Sequence, residues 1–193
     1  MTTGLQTVGL RVGYDGRAVA SIPDLTCTLD RVWLVTGANG AGKTTLLKTL
    51  AGLLPPVDGA VVPPPRPGHG GAVFVHSTPV LFRGTVRSNL QLAGAPASRV
   101  AEVAARFELT DRLDQPVHEL SHGLRQRAAI ARAVLCQPRV LLLDEPEGGL
   151  DARALDLWRT FLADTLARRE TLVVVAAHRP GGLGGIEVEV VTL

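Results

Sequence analysis

The 193 residues include only two cysteines, two lysines and one methionine. Cys27 and Cys136 stand far apart. That leaves no disulfide framework and no metal-ligand spacing, and makes a reducing cytosol the default. Cys136 closes an Ala-rich helical stretch and reads as a small buried residue. Lys43 and Lys48 face eighteen arginines, a coding bias and not a basic patch, and the net charge of +2 is too small to argue for nucleic acid. Aromatics are scarce at 4%. No uncharged apolar run reaches the roughly 18 residues that span a bilayer. The start Met1-Thr2-Thr3-Gly4-Leu5 has neither the charged segment nor the apolar core of a signal peptide. These absences lead us to expect a chain soluble by itself, reaching a membrane only by binding something that spans it.

With 46% apolar and 20% charged residues, the chain suits one domain with a sizeable core. The most informative segment is Gly37-Ala38-Asn39-Gly40-Ala41-Gly42-Lys43-Thr44-Thr45, which fits the phosphate-loop pattern G-x-x-x-x-G-K-[ST]. Its context fits as well. The apolar run Val32-Trp33-Leu34-Val35 reads as a buried strand before it, and residues 44–54 read as a helix after it. Glycines let the backbone turn tightly and bring N–H groups against phosphate oxygens. The helix start adds its positive dipole end. Lys43 can reach the β- and γ-phosphates, and the Thr44 hydroxyl can hold Mg²⁺.

Elsewhere, residues 5–12 and 18–29 read as strands around the turn Tyr14-Asp15-Gly16-Arg17. Residues 63–71, rich in Pro and Gly, must form a loop. Ala72 to Val75 reads as a short strand. Residues 84–115 show helical periodicity in short pieces, expected as about three helices. Residues 122–135 and 152–169 read as helices, the second with a stripe of Leu155, Trp158, Leu162 and Leu166. Residues 140–143 and 171–177 are all-apolar strands, and residues 187–193 a last strand or two. Apolar strands alternating with helices indicate a parallel sheet covered on both faces. No internal repeat is visible. A second chemical signal follows at Leu141-Leu142-Leu143-Asp144-Glu145. An apolar strand ending in two carboxylates places them at the sheet's C-terminal edge. Asp144 can hold Mg²⁺ through oxygen. Glu145 can orient a water for attack on a γ-phosphate.

Here the chain resembles the ATP-binding cassette (ABC) ATPases over essentially its whole length. Leu120-Ser121-His122-Gly123-Leu124-Arg125-Gln126-Arg127 looks like the family signature, usually LSGGQ followed by Gln-Arg. Asp144-Glu145-Pro146 resembles the Walker B strand end with its catalytic glutamate. Gly148-Gly149-Leu150-Asp151 sits where the D-loop falls, and His178 follows its strand as the switch histidine does. Tyr14 lies where the family stacks an aromatic on adenine, although it could equally pack on the first strands. The resemblance implies a phosphate-loop NTPase fold. It would have a mostly parallel α/β core, a small antiparallel β-region and a helical subdomain at about residues 84–135, inside one domain spanning 1–193.

It also implies a mechanism with ATP and Mg²⁺ as cofactors. Two cassettes pair head to tail, and each ATP lies between the phosphate loop of one and the signature of the other. Ser121 and the Gly123 amide would meet the γ-phosphate from across the interface, and Asp151 would couple the two sites. Glu145 would act as base, His178 would hold the γ-phosphate and the water in line, and Lys43 would stabilise charge. The implied partners are an integral membrane permease and a second ATP-binding subunit, identical or different. The implied location is peripheral, on the cytoplasmic side of the membrane. A degenerate ATP-binding half of a heterodimer and a soluble non-transport ABC ATPase remain as alternatives.

The chain departs from the family pattern at three positions. After Val73-Phe74-Val75, His76 stands where the family has a glutamine whose amide oxygen faces Mg²⁺. A neutral imidazole offers a nitrogen, which Mg²⁺ favours less than oxygen, so His76 is expected to weaken the metal contact and act through water. His122 replaces the first glycine of the signature and Leu124 its glutamine, which argues against fast symmetric hydrolysis. Leu81 and Phe82 either form a socket for a short coupling helix of the permease or belong to the core of the helical subdomain.

Overall fold

The computed structural model describes residues 4–148, 152–178 and 181–193. The strands are β1 (Gln6–Tyr14), β2 (Arg17–Ser21), β3 (Leu25–Thr26), β4 (Val32–Thr36), β5 (Asp58–Val62), β6 (Ala72–Val75), β7 (Val140–Asp144), β8 (Leu172–Ala176) and β9 (Val188–Thr192). The helices are α1 (Lys43–Leu50), α2 (Val86–Gln91), α3 (Ala97–Arg106), α4 (His122–Leu135) and α5 (Ala152–Arg168). Strands β6, β7, β8, β4 and β9 form one parallel sheet in that order. Parallel strands need crossovers, and helices supply them. The central strands β4, β7 and β8 are buried almost throughout, which is why their sequences run apolar without a polar alternate.

Period-two geometry still sorts those side chains onto two faces. Val32, Leu34, Leu141, Leu143, Val173 and Val175 face one core, shared with residues of α2, α3, α4 and α5. Trp33, Val35, Leu142, Leu172, Val174 and Ala176 face the other, shared with α1 and the antiparallel strands. In the antiparallel sheet β1 pairs with β2, β3 and β5.

Several boundaries differ from the sequence reading. The stretch 18–29 is not one strand, because Pro23 interrupts it between β2 and β3. Helix α1 ends at Leu50, well before Leu54, and Gly52 follows at φ +72, a conformation glycine adopts without strain. Strand β5 was not foreseen. Asp58-Gly59-Ala60 carries no strand signal, and pairing with β1 decides its conformation. Within residues 84–115 the three expected helical pieces are two α-helices and the 3₁₀ turn Thr110–Arg112, and a second 3₁₀ turn, Val117–Glu119, follows. The C-terminal segment forms one strand, β9.

Candidate functional site

The phosphate loop joins the end of β4 to the start of α1. Three of its glycines, Gly37, Gly40 and Gly42, have φ values of 149, 81 and 100, a region that L side chains avoid. A Cβ on Gly37 would come within 2.8 Å of the Leu193 carbonyl oxygen. Helix α1 has no side-chain cap and no acid in its first turn, so its leading amides are free for an anion. Ala38, Asn39 and Gly40 form the exposed tip, and the Ala41 amide donates back to the Ala38 carbonyl at 3.2 Å. Lys43, only 6% exposed, donates to the carbonyls of Gly37 at 2.9 Å and Ala38 at 3.0 Å. The ammonium is thus held inside the loop, pointed along the path a phosphate would take.

The strand end of β7 meets the loop directly. The Thr44 hydroxyl donates to Asp144 Oδ2 at 2.8 Å, across 100 residues of sequence. Asp144 is 3% exposed. Burial pushes its carboxyl above the usual carboxylate value, opposed by the Thr44 hydrogen bond and then by the charge of His76, while the charge of Glu145 adds to the rise and that of Lys43 opposes it. A buried carboxylate paired with a hydroxyl oxygen is a donor set that suits a hard divalent cation. Among the described residues no cluster of three or more His, Cys, Asp or Glu could hold a metal by itself. Thr44 and Asp144 therefore offer a partial shell, of the kind completed by phosphate oxygens and water.

Glu145 turns away from its neighbour. Its backbone sits at φ +47, a strained setting for a non-glycine residue that costs on the order of 1–3 kcal/mol. Its amide donates to the Ala176 carbonyl at 2.8 Å, fastening the kink to β8. The kink sends the two adjacent carboxylates to different places: Asp144 to Thr44, and Glu145 to His178, whose Nε2 lies 2.8 Å from Glu145 Oε1. Both side chains are partly exposed, as groups that must reach a ligand should be.

Tyr14 stands at the end of β1, 44% exposed. The Thr45 hydroxyl donates to its hydroxyl at 3.4 Å, which brings the ring to the foot of the phosphate loop. Thr45 itself is buried, so its side chain is occupied and only its amide is available to a phosphate. His76 leaves β6 beside the place where Asp144 ends β7, because Val75 registers with Leu143. Ser121 caps α4, its hydroxyl accepting from the Leu124 amide at 3.3 Å. Among the described residues, no hydrogen bond joins Ser121 or Gly123 to the phosphate loop or to the strand ends. Gly148 lies in a turn, while Gly149, Leu150 and Asp151 lie outside the described residues.

Sequence reasoning missed Glu147 and Arg159. Gly182, in the short turn that follows His178, donates its amide to Glu147 Oε2 at 3.0 Å. Its carbonyl accepts from Arg159 Nε at 3.3 Å. Burial raises the Glu147 carboxyl above its ordinary value, while the Gly182 amide and the Arg159 charge oppose the rise. The acid thus ties the segment after Glu145 to the segment after His178. A lone Glu in a turn gives no sign of this in the sequence.

The fold and the paired loop and carboxylates define the class: a nucleotide site of the phosphate-loop kind. The ABC transporter family model matches residues 21–148. A cytochrome c biogenesis ATP-binding export protein, CcmA of Cupriavidus necator, is 35% identical over 90% of this chain and 82% of its own length. The ABC transporter ATP-binding protein NatA of Bacillus subtilis is 30% identical over 84% of this chain and 73% of its own. The taurine import ATP-binding protein TauB of Mesorhizobium japonicum is 33% identical, over 88% and 71%. Among solved structures, an ATP-binding subunit of an ABC transporter superposes with a TM-score of 0.84, at 23% identity over 99% of this chain and 86% of that one. At that identity the likeness speaks for the fold. The chain belongs to the ABC transporter family.

Proposed function

We propose that this chain is the ATP-binding and ATP-hydrolysing subunit of an ABC transporter, driving a separate membrane permease through ATP-dependent pairing of two cassettes. The observation that carries the reading is the hydrogen bond from Thr44 to Asp144, with the Glu145–His178 pair beside it. It supports a reading in which the phosphate loop and a carboxylate for the cation act together, with Glu145 as the base. In this reading the loop amides and Lys43 hold the β- and γ-phosphates, and the Lys43 ammonium leaves the Gly37 and Ala38 carbonyls for phosphate oxygens. Thr44 and Asp144 would hold Mg²⁺, which when bound neutralises phosphate charge. Glu145 takes the proton of the attacking water, and His178 keeps that carboxylate aimed. Most of the rate then comes from positioning and fixed charge.

Among the described residues no hydrogen bond joins Ser121 or Gly123 to the phosphate loop, which fits a two-chain site in which the start of α4 faces the nucleotide of a second cassette. An apolar groove supports a membrane partner. Leu53, Val80, Phe82 and Leu92, all exposed, line a cavity of about 520 Å³ between α1, β6, α2 and α4. Phe82, 60% exposed, lies under the Arg132 guanidinium, and Arg132 is braced on the Val80 carbonyl at 2.8 Å. Leu81, by contrast, packs on the core of the helical region. Phe82 is therefore the neighbour free to meet a permease helix in this reading. No helix among the described residues is long and apolar enough to cross a membrane, in keeping with a peripheral subunit at the cytoplasmic side.

The test is Mg²⁺-ATP turnover of the purified chain beside Glu145→Gln. The expected result is steady turnover that falls by about 10²–10³-fold in the variant, with ATP binding retained. Bound ATP with no turnover in the wild type would instead identify a degenerate half that needs a more regular partner, the reading to which His122 and Leu124 belong.

A further inference from the structure

We infer that His76 serves the site as a hydrogen-bond donor to an anionic oxygen, through Nε2–H, and not as a ligand of the cation. The inference rests on the nucleotide reading above and assigns one more residue to that site.

The ring is fixed by its neighbours. The Thr78 backbone amide donates to His76 Nδ1 at 3.0 Å. The Ser77 hydroxyl lies 3.3 Å from the same nitrogen. Phe74 meets the ring edge-on, with centroids 5.9 Å apart. A backbone amide can only donate, so Nδ1 must be the acceptor. In the neutral ring the hydrogen then sits on Nε2, because the bond made by one imidazole nitrogen sets the state of the other. Among the described residues, Nε2 has no hydrogen-bond partner in the chain.

Chemistry decides what that free N–H can meet. A nitrogen that carries a hydrogen has no lone pair for a metal. A dipole with its positive end toward a cation held by Thr44 and Asp144 would be repelled. An oxygen that carries negative charge is the fitting partner, and the terminal phosphate supplies one. Strands β6 and β7 release His76 and Asp144 side by side at one sheet edge. The short hairpin of contacts from Ser77 and Thr78 therefore turns a residue with two possible roles into one with a single role.

Two measurements test this. In the first, long-range ¹H–¹⁵N spectra are recorded on histidine-labelled chain without nucleotide, and the His76 signals are found by their loss in His76→Ala. The Nε2-protonated pattern is expected, and an Nδ1-protonated pattern overturns the assignment. The second measures binding of fluorescent ATP and ADP analogues over a Mg²⁺ series, in a Glu145→Gln background that blocks turnover. We expect His76→Ala to leave the half-maximal Mg²⁺ concentration within about twofold, and to narrow the preference for ATP over ADP by about three- to tenfold. A metal-ligand role gives the reverse: a Mg²⁺ midpoint raised about tenfold, and ATP and ADP weakened together. The two levels of the account fail differently. If the parent protein binds no nucleotide, the nucleotide reading falls and the role of His76 falls with it. If binding is normal but the ring is Nδ1-protonated, only the role of His76 falls.

Discussion

The phosphate-loop edge and the start of α4 both present a helix N-terminus, yet they are built in opposite ways. At the loop, no side chain caps α1, and the free groups around it are gathered by long-range bonds: Thr44 to Asp144, Glu145 to His178, Thr45 to Tyr14. At α4, Ser121 caps its own helix and the bond is local. The first is a site that the fold assembles from four separate segments. The second is a helix end at the surface that caps itself. The difference fits the proposal made above, in which the two ends serve different nucleotides.

The largest expected effect falls on the assembled edge. Lys43→Ala removes the ammonium held between two loop carbonyls, and nucleotide affinity and turnover should together fall by about 10²–10³-fold in titration and phosphate-release assays. The same truncation of a self-capped end is gentler on binding: Ser121→Ala should cost stability of about 1 kcal/mol through the lost cap, seen as a lower thermal midpoint.

Gly182→Ala sharpens the comparison next. The added Cβ would fall 2.1 Å from Glu147 Cδ, so the Glu147 carboxylate must leave the Gly182 amide or the turn must move. A loss of about 1–3 kcal/mol in stability is expected, with turnover reduced about tenfold as the Glu145–His178 alignment loosens. Because the clash is with the Glu147 side chain, Glu147→Ala should relieve part of it. A double-mutant cycle read by chemical denaturation would then show coupling, and strict additivity would contradict the contact.

Asp144→Asn should act in the opposite direction on stability. The fold raises the carboxyl of Asp144, so the folded chain holds that proton to higher pH than the unfolded chain. The group's contribution is favourable below the ordinary carboxylate value and is lost as pH rises through the raised folded value. At neutral pH the ionised acid is therefore a cost, and the neutral amide should raise the thermal midpoint by about 2–5 °C. The gain should shrink as pH falls toward 4, while Mg²⁺-dependent nucleotide binding is lost. The smallest effect belongs to Tyr14. Tyr14→Ala should weaken nucleotide binding about threefold, while Tyr14→Phe, which gives up only a long hydrogen bond, should stay within about twofold.

The assembled edge was legible in the sequence because its motifs are rigid in spacing. The glycines of residues 37–42 each meet a backbone need, and Asp144 and Glu145 follow an unbroken apolar strand. The reading faltered where long-range pairing overrides local signals. Strand β5 exists because β1 lies beside it, and Pro23 divides a run that alternation alone would have kept whole. Glu147 was missed because its partner amide, on Gly182, is 35 residues away. That Leu81 packs on the core while Phe82 stays exposed could not be read in sequence either, since adjacent residues on an irregular segment have no fixed period. The nitrogen that His76 keeps free depends on a backbone amide two residues on, which no pattern of side chains records.

The claim that each site is shared between two chains is tested most directly by mixing two silent variants. Lys43→Ala disables the loop and leaves α4 intact, while Ser121→Arg blocks the start of α4 and leaves the loop intact. Each alone should give no turnover. In a head-to-tail pair, random mixing in equal amounts makes half the dimers mixed, and each mixed dimer holds one intact site. The account predicts that activity returns to about a quarter of the wild-type level in a phosphate-release assay. If wild-type chain turns over ATP and the mixture stays silent, the nucleotide is not held between two copies, and the account is contradicted.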